Sequence, residues 1–231
     1  ITTRLVGSEM CIRDRYIIMQ NVLTDINPVL QILIVMTLFS LLPLVFCCMT
    51  SFLRFVIVFS MLKTAMGTQQ VPPSIVIIGL SMILTFYTMG GTFQKMYDLG
   101  SVPYQKNQNI IAAVDEGSKP LKEFMMKQTR ESDLAFFIEL SKKRPPASPD
   151  EITIWEVAPA YIISELKTAF EIGFVIFVPF IVLDLVVANI LLALGMFMLS
   201  PTIISLPFKL LIFIAVDGWA LIVQGLVTSY N

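Results

Sequence analysis

Histidine is absent from this chain of 231 residues. That single absence removes the commonest general base, the commonest metal ligand and the usual pH switch. Cysteine is scarce: Cys11, Cys47 and Cys48 are the only three. Cys47 and Cys48 are neighbours inside an apolar run, where each reads as a small buried hydrophobe, so neither a disulfide framework, a zinc site nor a redox site is credible. Charge is scarce as well. Charged residues make up 14% of the chain, against about a quarter in soluble proteins. The net charge of −1 and the lack of a dense basic patch argue against nucleic acid as a partner.

Hydrocarbon fills the space these residues leave. Hydrophobic residues are 56% of the chain and the mean hydropathy is +0.79, above the ~45–50% apolar content of soluble domains. The chain reads as an all-α membrane or membrane-assembly protein. Its segments divide by charge. Residues 1–18 hold five charges and lack the apolar core and cleavage site of a signal peptide, so they read as a leader of non-native origin, with a plausible start at Met19. Residues 19–94 hold three charges, residues 95–158 nineteen, and residues 159–231 six. The expected organisation is therefore N-terminal hydrophobic helices (19–94), a small soluble helical insert (95–158), and a C-terminal hydrophobic hairpin with a last helix (159–231).

Punctuation refines this division. Ile26 to Leu53 is free of charge for 28 residues, more than the ~20 needed to cross a bilayer core. Pro43 inside it leaves one long helix or two shorter ones open. The apolar run from Ile75 to Met89 is expected to end at Gly90-Gly91. In the insert, Leu121, Phe124, Met125, Leu134, Phe137, Ile138 and Leu140 recur at helical spacing, which predicts two short amphipathic helices with a polar joint. The stretch Arg144 to Pro149 is a loop. Ser200-Pro201 is expected to stop a helix, Pro201 and Pro207 to bracket a connector, and Lys209 and Asp217 to share one helix face two turns apart. Hydropathy gives about four spanning helices by the ~20-residue rule.

Charges inside apolar helices cost roughly 2.5–3.5 kcal/mol each on insertion scales and need a reason. Asp184 and Asp217 invite comparison with an intramembrane aspartyl protease, but Leu183-Asp184 and Val216-Asp217-Gly218 do not match the motifs such enzymes use. Glu165, Lys167 and Glu171 could form an ion relay. An ion pair is simpler, since Lys167 and Glu171 stand at i,i+4. Met196-Phe197-Met198 lie between a glycine and Ser-Pro; the residues alone leave open whether they are core filler or a soft, deformable plug.

Two long stretches, PAYIISELKTAFEIGF (159–174) and PFIVLDLVVANILLALGM (179–196), resemble the signatures of the FliP/SctR family (FliP/YscR/SpaP). TSFLRFVIVFSMLKTAMGTQQVPP (50–73) and ISLPFKLLIFIAVDGW (204–219) are similar to its first hairpin and last helix, and the likeness covers residues 22–231 in order. The resemblance implies a non-enzymatic core subunit of the type III secretion export gate, without cofactor, catalytic residue or metal. It implies kinked helical hairpins stacked into a conical oligomer, five copies in the family pattern, at the bacterial inner membrane, with the insert on the periplasmic side. Implied partners are subunits of the FliQ/SctS and FliR/SctT types, export proteins of the FlhB/SctU and FlhA/SctV types, and the unfolded substrates. Met196, Phe197 and Met198 map onto a pore gasket. Arg54, Lys63, Glu165, Lys167, Glu171, Asp184, Lys209 and Asp217 are expected to pair between copies or between helices of one copy. Ala188–Ala193, Ser200-Pro201 and Gly225–Tyr230 resemble virulence-type members, while Pro120–Phe137 and Ser164–Phe170 look flagellar; the balance leans slightly to the virulence type. The rival from another class is a conventional polytopic small-molecule transporter or ion channel.

Overall fold

The computed structural model describes residues 28–68, 71–107, 110–141 and 151–230. The leader 1–18 and the loop 144–149 lie outside them. Every regular element among the described residues is an α-helix. The chain divides into two compact units, Ile1–Val45 and Phe46–Asn231. In the first, helix α1 (Pro28–Met49) begins; it carries no charge and passes through Pro43 without interruption. Val29, Leu30, Ile32, Leu33, Met36 and Phe39 are all exposed, so this helix is hydrophobic on every side, the pattern of a segment meant for lipid or a large assembly.

The second unit is organised around α2 (Phe52–Ala65). Thr50 and Ser51 break the chain ahead of it, and their polar groups are satisfied locally. The Thr50 hydroxyl donates to the Phe46 carbonyl at 2.7 Å, and Ser51 Oγ lies 3.0 Å from Thr88 Oγ1. Phe55, Val58, Phe59 and Leu62 are completely buried, facing Ala169, Phe180, Phe213, Leu226 and Tyr230 of later elements. At about 1.5–3 kcal/mol per buried large apolar side chain, this helix is the chief packing element of the unit.

Helix α3 spans Ser74–Asn107 and does not end at Gly90-Gly91, contrary to the sequence expectation. Each interior glycine costs only ~1 kcal/mol relative to alanine, and packing against α2 and against α4 (Ile110–Gln128) outweighs that. Gly100 and Gly117 sit where α3 and α4 cross. A Cβ on Gly100 would stand 3.1 Å from the Ala113 carbonyl oxygen, and one on Gly117 3.3 Å from that of Met96. Helix α5 (Glu131–Leu140) follows after the Thr129-Arg130 joint. Leu121, Phe124, Met125, Leu134 and Ile138 close a second core over Val157 and Tyr161, whereas Leu140 is exposed.

Helix α6 runs 40 residues, Ile154–Ala193, and a capping box of Thr153 and Glu156 starts it. Pro159 and Pro179 do not break it. At 1.5 Å per residue it is about 60 Å long, roughly twice a bilayer core. Pro201 does not stop a helix; it is the first residue of α7 (Pro201–Ala215), which continues through Pro207. Proline at a first helical position is well placed, because its missing N–H would be unpaired there in any case. Helix α8 (Gly218–Thr228) is bent from α7 by 63°. Among the described residues, two helices are fit by length and composition to cross a membrane, or up to four if each bent pair is one span.

Candidate functional site

Three polar ties hold the apolar helices in register, and one apolar loop is displayed beyond them. The first tie is centred on Arg54, which is 3% exposed in the first turn of α2. Its Nε donates to Glu165 Oε2 at 2.8 Å, Nη2 donates to Glu165 Oε1, and Nη1 donates to Ser229 Oγ at 2.9 Å. The guanidinium carbon lies 3.9 Å from the centroid of the Tyr230 ring. The Tyr230 hydroxyl donates to Glu165 Oε2 at 2.6 Å. Burial, then the Glu165 charge, pushes the Tyr230 phenol far above its ordinary value, so it remains a donor. The forked contact matches guanidinium to carboxylate geometry, and the ring beneath adds a cation–π contact. The tie joins α2, α6 and the residues after α8.

The second tie fastens the α4–α5 joint to α6. Arg130 Nη2 donates to Glu171 Oε2 at 2.6 Å and to Thr168 Oγ1 at 3.2 Å, and the Arg130 backbone N–H donates to Ser164 Oγ at 3.1 Å. Lys167 pairs with Asp133. Lys167 and Glu171 therefore turn to separate partners in the insert rather than to each other. The Arg130 and Glu171 side chains are both exposed, and a pair this wet contributes about 0–1 kcal/mol; Lys167 is half exposed but its partner Asp133 is buried.

The third tie closes the α6–α7 hairpin. Lys209 is 4% exposed; its Nζ donates to Asp184 Oδ2 at 2.7 Å and to the Ala65 carbonyl at 3.1 Å. Ser205 Oγ donates to Asp184 Oδ1. Lys209 thus also supplies a cation at the C-terminal end of α2, where the helix dipole favours one. Asp217 is not on a shared helix face with Lys209. It stands at the break between α7 and α8, exposed, in a left-handed conformation with φ 51°. The two aspartates have different surroundings, which removes the proton-sharing pair a protease of this type requires. No cluster of potential metal ligands occurs among the described residues.

Between α6 and α7 the chain displays Met196, Phe197, Met198 and Leu199, all exposed, with Met198 completely so. The loop is set by its two ends. At the C-terminus of α6, Gly195 adopts φ +74°, its N–H donates to the Leu192 carbonyl at 3.0 Å, and the Met196 N–H donates to the Leu191 carbonyl at 2.9 Å. That is the Schellman pattern, which needs a left-handed residue and favours glycine. At the other end Ser200 and Pro201 open α7. A four-residue apolar tip is therefore held away from both helices.

The sequence reading named both members of the Arg54–Glu165 and Asp184–Lys209 pairs, one member each of the Arg130–Glu171 and Lys167–Asp133 pairs, and missed the other partners. Ser229 and Tyr230 lie just beyond the last apolar helix; Arg130 and Asp133 are ordinary charges in a charged insert; Ser205 is a lone hydroxyl in an apolar run. Only Ser205 carried a signal, four residues before Lys209 on one helix face. Lys63 and Asp217 form no ion pair within the chain, among the described residues.

These features define a helical membrane protein whose long apolar helices are pinned by buried ion pairs and end in a displayed apolar tip. The chain belongs to the FliP family, whose model matches residues 35–226, and is an export-gate subunit of type III secretion. It is 44% identical over 207 residues to flagellar biosynthetic protein FliP of Bacillus subtilis (strain 168), covering 89% of this chain and 94% of that one. Identity to the protein of the same name from Pectobacterium carotovorum subsp. carotovorum is 44% over 201 residues, covering 87% and 78%. Yop proteins translocation protein R of Yersinia pestis is 41% identical over 209 residues, covering 87% and 96%.

Proposed function

We propose that several copies of this chain surround one channel at the bacterial inner membrane, and that unfolded proteins pass through it as they leave the cytoplasm. The chain catalyses no reaction; its work is to form, hold and seal the passage. The observation that carries this reading is the apolar tip Met196–Leu199, rigidly based and exposed at the end of a pinned hairpin. In an isolated molecule such a tip would be an unfavourable surface. Copies arranged about an axis would bring their tips together, where flexible thioethers and an aromatic ring fill irregular space well. Phe197 makes the seal somewhat stiffer than methionines alone.

Membership of the family supports partners of the FliQ/SctS, FliR/SctT, FlhB/SctU and FlhA/SctV types and an insert on the periplasmic side. The exposed apolar surface of α6, including Phe174, Val175, Val182 and Leu185, fits burial against neighbouring subunits as well as lipid. The test is native mass spectrometry of the detergent-extracted chain co-expressed with its two small hydrophobic partner subunits. A single complex holding several copies of this chain and both partners is expected; a monomer with transport activity of its own would favour a conventional transporter.

A further inference from the structure

Eight charged residues of the two apolar halves fall among the described residues, and six of them are paired within the chain: Arg54, Glu165, Lys167, Glu171, Asp184 and Lys209. The remaining two are one cation and one anion. Lys63 sits half-buried in the last turn of α2, and its ammonium makes no hydrogen bond among the described residues. Asp217 makes no side-chain cap bond and is flanked by the exposed apolar residues Ile214 and Val216. It also occupies a left-handed conformation that few residues other than glycine adopt. An exposed charge left unpaired between apolar helices marks a place where something outside the chain is expected.

The register of the helices limits how far apart these two charges lie along α2. Lys209 of α7 reaches the Ala65 carbonyl of α2, and Trp219, two residues after Asp217, packs against Phe59 with ring centroids 6.4 Å apart. Asp217 therefore lies within about two helical turns of Lys63 measured along α2. A neighbouring copy related by rotation with an axial rise of that order brings one copy's Asp217 to the height of the next copy's Lys63. Such a contact joins two different patches head to tail, the kind that generates rings and open helical stacks.

We propose that Lys63 of one copy pairs with Asp217 of the neighbouring copy. This rests on the multi-copy reading above and adds the residues that set its register. A charge left unpaired in a dry interface is strongly unfavourable, so the pair would also reject misregistered neighbours.

The test uses the full chain with Cys11, Cys47 and Cys48 replaced by serine, in two singly substituted forms, Lys63→Cys and Asp217→Cys. These are co-expressed with the partner subunits and treated with a short thiol cross-linker. A cross-linked dimer is expected when both forms are present and not with either alone. A mixed sample without that dimer, while native mass shows the assembly intact, overturns the pairing and leaves these charges to water or lipid headgroups. A wild-type chain that stays monomeric overturns the multi-copy reading itself. In parallel, Lys63→Gln and Asp217→Asn are each expected to lower recovery of the intact complex several-fold, and the double variant no further than the worse single one. Multiplying losses would overturn the pairing.

Discussion

Arg54 and Lys167 are both cations that meet carboxylates, yet they are expected to behave differently when removed. Arg54→Ala leaves Glu165 charged and fully buried, which costs about 3–5 kcal/mol. Unfolding of the purified chain in detergent should show a loss of that size. The combined change Arg54→Met with Glu165→Leu removes both charges and should cost far less, because a buried pair is weakly stabilising against an apolar replacement. Lys167→Ala should cost less, about 1–3 kcal/mol, since that ammonium is half in solvent although the Asp133 carboxylate it leaves is buried. Recovery of the assembled complex should follow the same order, falling sharply for Glu165→Ala and less for Lys167→Ala. Equal losses would mean that Lys167 has a partner outside the chain. The charges themselves were legible in the sequence as costly interruptions. Their partners were not: Arg54 and Glu165 are 111 residues apart, and nothing local marks a tyrosine beyond the last helix as the third member.

Among the elements, composition announced helices correctly but misplaced some of their ends. Gly90-Gly91 reads as a stop and is passed over by α3, because cross-helix packing exceeds a propensity penalty of this size. Pro201 and Pro207 read as a connector and lie inside α7, one at the position proline favours. The stop at Gly195 is the one with backbone geometry behind it. Gly195→Ala forces a Cβ into a left-handed residue at about 1–2 kcal/mol and should lower the melting temperature and loosen the Met196–Leu199 tip. Gly225→Ala makes a useful contrast: that glycine lies within α8, exposed and with open space around its Cβ, so the change should stabilise by roughly 0.5–1 kcal/mol. Similar melting shifts in the two variants would contradict the role given to the Gly195 turn.

At the scale of the whole molecule, buried ion pairs fix a scaffold and leave apolar surface and an apolar tip exposed. The tip was legible as a motif, four large apolar residues between Gly and Ser-Pro, though the residues alone left core filler and plug open. That it stands clear of its own chain was not legible; this depends on the Schellman turn and on the Asp184–Lys209 tie that holds the hairpin beneath it. The central claim is that this tip seals a channel shared by several copies. Its most direct test is the ion conductance of membranes holding the complex assembled with Met196→Ala and Met198→Ala. The account predicts a complex of normal mass and yield with a clearly raised leak; a normally assembled complex with unchanged conductance would contradict it.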